Sequence, residues 1–141
     1  MAPPAKGGAV SAMSRTKGQA GEREVAAIIR TLTGHDVRRR VRQHQGDADL
    51  EGLPGWSVEV KRHARTPPAS IADWWAQSMR QARDVQAKPV LFYRADRAEW
   101  RCVWPADLHA SHKGATIRPG YEHTLSAEPS TWWAMVRYDD G

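Results

Sequence analysis

Asp49, Glu59 and Lys61 are the side chains whose types and spacing could do chemistry. They lie in one stretch that runs from Gly46-Asp47-Ala48-Asp49-Leu50 through Leu53-Pro54-Gly55 to Val58-Glu59-Val60-Lys61. Side chains alternate along a strand, so Glu59 and Lys61 share a face while Val58 and Val60 point into a core. A hairpin loop of Leu53, Pro54 and Gly55, with Gly55 in the left-handed position, sets Gly52 opposite Trp56 and Asp49 opposite Glu59. Their Cβ atoms then lie roughly 5 Å apart. Two carboxylates at that spacing repel by about 3 kcal/mol at an effective dielectric of about 20, a cost that a cation between them removes. Carboxylate, carbonyl and water oxygens are hard ligands that suit Mg²⁺, with Mn²⁺ as a substitute, rather than Zn²⁺. Lys61 faces the water that such an ion activates and can stabilise charge growing on a phosphate. The chemistry this set supports is phosphodiester hydrolysis. Asp47 and Glu51 share the face of Asp49, and alternation alone does not choose among the three; the hairpin register favours Asp49. Taken alone, Glu-x-Lys is equally a solvated charge pair on an amphipathic strand. The acid at a matching offset and the valine interior argue against that plainer reading.

These residues need a frame. Val25, Ile28, Ile29 and Leu32 recur at i, i+3, i+4 and i+7, which predicts a helix from Lys17 with Gly34 placed to stop it. Counted from the centre of that stripe, Glu22 lies nearer the core than Glu24. Asp36 to Gln43 suggests a strand with outward arginines, and the hairpin supplies two more strands. After Pro67-Pro68 a second helix is expected, with Ser70 as N-cap and Ile71, Trp74, Trp75, Ser78, Ala82 and Val85 on one stripe, ending near Ala87. Val90-Leu91-Phe92-Tyr93 reads as an interior strand and Glu99 to Trp104 as a further one. Beyond Pro105 only Trp132, Trp133, Met135 and Val136 suggest another element.

The 141 residues support one domain with a core of its own, free of any need for disulfides or structural metal. Lys and Arg number 21 against 16 Asp and Glu, and this excess points to a polyanion such as nucleic acid. Arg38, Arg39, Arg40 and Arg42, with Arg62 and Arg65 beyond Lys61 and Arg23 on the first helix, are the candidate phosphate contacts. Cys102 is the single cysteine, which excludes a disulfide framework and a cysteine-based zinc site and fits a reducing cytoplasm. The six histidines show no paired metal spacing. With no signal-peptide pattern and no run of roughly 20 apolar residues, the expectation is a soluble, cytoplasmic protein without a membrane role. Trp74 and Trp75 sit on an apolar helical stripe and read as core or dimer interface rather than as a base-stacking platform.

Lys17-Gly18-Gln19-Ala20-Gly21-Glu22-Arg23-Glu24, Gly34 and Arg39, Asp49-Leu50, Val58-Glu59-Val60-Lys61, Lys88-Pro89-Val90-Leu91 and Trp100-Arg101 together resemble the archaeal Holliday junction resolvases and their phage-borne relatives, within the PD-(D/E)XK nuclease superfamily. The likeness runs from about Lys17 to Trp104. It implies an α/β, restriction-endonuclease-like αβββαβ core with a central mixed sheet flanked by helices. It also implies an active site of Glu22, Asp49, Glu59 and Lys61, with Mg²⁺ held by Asp49 and Glu59 and supported by Glu22. A homodimer acting on branched DNA follows from the same likeness, since a four-way junction is cut symmetrically by two sites. In parts of the superfamily a helix-borne Gln assists the site; Gln77 or Gln81 would take that part, against the plainer reading of a solvated Gln. Arg42-Gln43-His44-Gln45-Gly46 departs from the small Ser/Gly-rich loop of the archaeal proteins, and Trp74-Trp75-Ala76-Gln77 is more phage-like. The domain reading is a flexible tail over 1–13, a nuclease core over 14–104 and an extension packing on it over 105–141. A flap, nicking or general DNA nuclease is the alternative enzyme, and a non-catalytic DNA-binding module the alternative class.

Overall fold

The computed structural model describes residues 4–41, 47–110 and 116–138, with side chains from residue 15 onward. Helix α1 (Pro4–Thr33) is followed by two short strands, β1 (Arg38–Arg39) and β2 (Leu50–Glu51), and then by the long strand β3 (Trp56–His63). Helix α2 (Pro68–Asp84) crosses to β4 (Lys88–Ala95), and β5 (Arg101–Pro105), β6 (Thr124–Ala127) and helix α3 (Pro129–Val136) complete the order. The main sheet runs β3-β4-β5-β6, with β3 and β4 parallel and the other pairs antiparallel. This is the mixed α/β sheet with flanking helices expected from the sequence.

Alternation along the strands sorts the core into two layers. Val58, Val60, Val90, Phe92, Cys102 and Trp104 pack with Val25 and Ile29 of α1 and Trp132 and Val136 of α3. Leu91 and Val103 face the other way, onto Ile71 and Trp75 of α2. A strand covered on both faces is buried throughout, which is why Glu59 is interior although its neighbours follow the polar-apolar alternation. Glu59, Lys61 and His63 fall on the α2 side of β3, the edge strand of the main sheet.

Several boundaries differ from the sequence reading. The backbone of α1 is helical from Pro4, reaching into the segment read as a flexible tail, while Gly34 N–H donates to Arg30 O and ends the helix as foreseen. The basic strand shrinks to β1: Val37 is buried, but Val41 is 79 % exposed, so nothing holds the strand pattern past Arg40. The ladder of β2 is with β1, not with β3. Asp49 therefore sits at a bend just before β2 and reaches β3 by an Asp49 N–H to Val58 O bond of 3.1 Å. The turn itself is as expected, with Gly55 at φ +79° and Trp56 N–H donating to Leu53 O. Gly52 is dictated by space, since a Cβ there would lie 2.4 Å from Asp36 O. Helix α2 starts two residues before Ser70, because Pro68 at its first turn needs no N–H partner and Pro67 already has extended backbone. It also ends before Val85, which is 65 % exposed instead of lying on the buried stripe. Residues beyond Pro105 supply the edge strand β6 and the core side chain of Trp132.

Candidate active site

A cleft of about 550 Å³ opens along the free edge of β3, lined by Lys17, Gly18, Glu22, Asp49, Glu59, Lys61 and their neighbours through Ala64. Asp49 is 9 % exposed and Glu59 3 %. The Asp49 carboxylate accepts from Val60 N–H at 2.8 Å while its own N–H binds Val58 O, so it brackets Glu59 from both sides. The two carboxyl groups are hydrogen-bonded to each other, and burial, followed by the Asp49 charge, pushes the Glu59 pKa up to about 9. Lys61 Nζ lies 3.7 Å from Glu59 Oε1. Glu59 Oε2 is buried and has no hydrogen-bond partner among the described residues. Two hydrogen-bonded carboxyl groups beside a cleft, one with a buried oxygen left unpartnered, are a donor set that fits a hard divalent cation. Among the described residues no three Asp, Glu, His or Cys side chains converge on one point. Glu22 shares the cleft but is paired with Arg39, whose Nε donates to Glu22 Oε2 at 2.6 Å.

Gln81 comes to Glu59. It is buried on α2 and its side chain hydrogen-bonds the Glu59 carboxylate, favouring the charged form. The plainer reading of a solvated glutamine therefore fails for Gln81, while Gln77 is half-buried and has no such contact. The expected stripe of Ile71, Trp74, Trp75, Ser78, Ala82 and Val85 left Gln81 out, although its place three residues after Ser78 is the helical spacing that could have put it inside. Replacing Gln81 by Leu should lower cleavage or ion affinity about 10- to 100-fold, as for other residues that orient ligands. The check is the Mg²⁺ concentration giving half-maximal rate; an unchanged curve removes Gln81 from the site.

The candidate phosphate contacts divide. Arg39 is tied to Glu22, and Arg40 donates to Ala48 O and faces Glu51 at 3.7 Å. Arg38 and its partner Asp36 are both solvent-exposed, as are Arg23 and Arg65. Arg62 pairs with Glu24 at 2.9 Å, and Glu24 also takes Arg94 at 2.7 Å. Arg42 lies outside the described residues. Sequence reading missed Lys17, whose ammonium binds Asp96 at 2.8 Å at the cleft wall. Their separation of 79 positions left no local signal.

The Glu59 shift has a sign that can be checked. The folded protein without cation holds a proton from about pH 4.5 to about 9 that the unfolded chain has released. Stability of the ion-free protein should therefore fall as pH rises through that window. Added Mg²⁺ should raise the melting temperature more at pH 9 than at pH 5. In Glu59→Gln both the decline and the Mg²⁺ response should flatten; equal Mg²⁺ effects at both pH values in the parent protein would contradict the buried pair.

Residues 13–128 match the family described as "Phage putative PDDEXK endonuclease". Protein D14 of Escherichia phage T5 is 27 % identical over 108 residues, covering 62 % of this chain and 68 % of that protein. Among solved structures, Archaeoglobus fulgidus Hjc, a Holliday junction resolvase from an archaeal hyperthermophile, aligns with 88 % of this chain and 96 % of its own at 16 % identity and a TM-score of 0.47.

Proposed function

The chain belongs to this phage PDDEXK endonuclease family and is a nuclease; from that premise we propose that it is a Mg²⁺-dependent endodeoxyribonuclease selective for branched DNA, of the Holliday junction resolvase type. The observation that carries the reading is the buried Asp49–Glu59 pair with Lys61 beside it at the floor of an open cleft. Asp49 and Glu59 would hold the cation, which when bound supplies Lewis acidity and makes water nucleophilic near neutral pH. The Val60 amide fixes the Asp49 carboxylate, and Gln81 fixes that of Glu59, so neither must reorganise when substrate arrives. Lys61 offers its ammonium to the charge that grows on the phosphate as water attacks and the opposite P–O bond breaks, with inversion at phosphorus. Glu22 positions Arg39, whose remaining N–H groups can take a neighbouring phosphate. Arg23, Arg38, Arg40, Arg62 and Arg65 are the further candidates for contacts to backbone phosphates.

Preference for branched DNA rests on the likeness between the motifs from Lys17 to Trp104 and the resolvases, and a homodimer presenting two sites goes with it. The test compares a synthetic four-way junction, a flap and a plain duplex in Mg²⁺. The junction should be cut fastest and by paired, symmetric incisions. Equal rates on all three would leave a general nuclease, and no cutting of any would reject the enzyme in favour of a binding module.

A further inference from the structure

Resting on that nuclease reading, we propose that His63, backed by Trp74, is a stacking platform for an unpaired nucleobase of the DNA entering the cleft. Strand alternation puts His63 in line with Glu59 and Lys61, and at about 3.3 Å per residue it stands roughly 13 Å from Glu59 and roughly 7 Å from Lys61. Its ring lies on that of Trp74 with centroids 4.7 Å apart and planes 16° from parallel. Trp74 is half-buried on α2 against the cluster around Ile71 and Trp75, so the backing is firm. His63 itself is exposed and lines the cleft beside Lys17, Lys61 and Arg62. With one ring face covered by Trp74, the accessible part is the opposite face and the edge.

Four residues along β3 from Glu59, His63 is placed to meet a nucleotide that flanks the phosphate being cut. A planar ring lining a cleft beside Lys61, with Lys17 and Arg62 already engaged by Asp96 and Glu24, suits a nucleotide whose base lies on the ring while a phosphate meets Lys61. Burial, and then the Lys61 and Lys17 charges, lower the His63 pKa, so at neutral pH it offers a π face instead of another positive charge. A fully paired duplex keeps its bases inside the stack. A branch point, a flap or a single strand can turn a base outward, so this platform discriminates by DNA structure without reading sequence.

The experiment measures binding by the whole chain in metal-free buffer, where nothing need be cut, using fluorescence anisotropy on a single-stranded oligothymidylate, a four-way junction and a blunt duplex. His63→Ala should weaken binding to the single strand and the junction about 10-fold, and to the duplex far less. His63→Phe, which keeps an aromatic face and carries no charge, should stay close to the parent on all three. Equal losses on duplex and single strand, no loss at all, or a Phe variant as weak as the Ala variant would each overturn the platform. A parent protein that cuts DNA while His63→Ala binds unchanged sinks this inference and leaves the nuclease reading intact. A parent that binds none of the three DNAs sinks the platform, and only a parent that also cuts none of them in Mg²⁺ sinks the nuclease reading with it.

Discussion

Asp49→Asn and Lys61→Ala should each cut a DNA substrate about 10²- to 10³-fold more slowly than the parent protein while binding it within a few-fold. The magnitude is that of removing one preorganised charge-stabilising group from an active site. Asp49 is the more informative position because its carboxylate has two tasks. One oxygen accepts Val60 N–H, which holds the loop before β2 against β3, and the carboxyl group also meets Glu59. Asparagine can keep the bond to Val60 through its amide oxygen, so the fold survives while the second negative charge disappears. The Glu59 pKa should fall in the ion-free variant, since its second-largest cause, the Asp49 charge, is gone. Lys61→Ala removes no ligand, so it should lower the turnover rate without changing the Mg²⁺ requirement. Unchanged cleavage by both variants rejects the site.

Trp132→Ala is the stability change with the largest expected effect, about 3–5 kcal/mol. Trp132 is fully buried and packs edge-on against Trp56 at 5.3 Å and Phe92 at 5.4 Å, so it touches the strand that carries Glu59. For a domain whose total stability is about 5–15 kcal/mol, that loss is a large fraction, and the melting temperature should drop by roughly 10–15 °C. Met135 on the same helix is exposed, and Met135→Ala should cost no more than about 0.5 kcal/mol. Thermal denaturation of both variants checks the contrast. A loss below about 1 kcal/mol for Trp132→Ala would mean that α3 only rests on the body.

The legible parts of the fold were those written in local periods. The stripe Val25, Ile29 and the valines around Glu59 placed α1 and β3, because a helix face and a strand face each repeat within a few residues. Gly55 marked the turn because its backbone needs a positive φ. The acid on one side of that turn does meet Glu59 on the other, but through a bend that joins Asp49 N–H to Val58 O and not through the expected ladder between β2 and β3. The pairing of β2 with β1 was not legible, because a two-residue strand carries no period and its partner is chosen by where the chain runs. The last segment was obscure for a related reason: β6 has only four residues, and its place beside β5 is a long-range choice. Gln81 was half legible, since helical spacing puts it on the buried stripe, while its contact with Glu59 depends on how α2 crosses the sheet. The Lys17–Asp96 and Glu24–Arg94 pairs join residues far apart in sequence and left no trace there.

On the proposed reading, Asp49 and Glu59 together hold a divalent cation. Titration of Mn²⁺ into ion-free protein, followed by the electron paramagnetic resonance signal of the free ion, tests it without any DNA. At least one Mn²⁺ should bind per chain near neutral pH, about 10-fold or more weakly in Asp49→Asn and in Glu59→Gln and unchanged in Arg65→Ala. Uptake that is equal in the parent and both carboxylate variants, or absent from the parent, would contradict it.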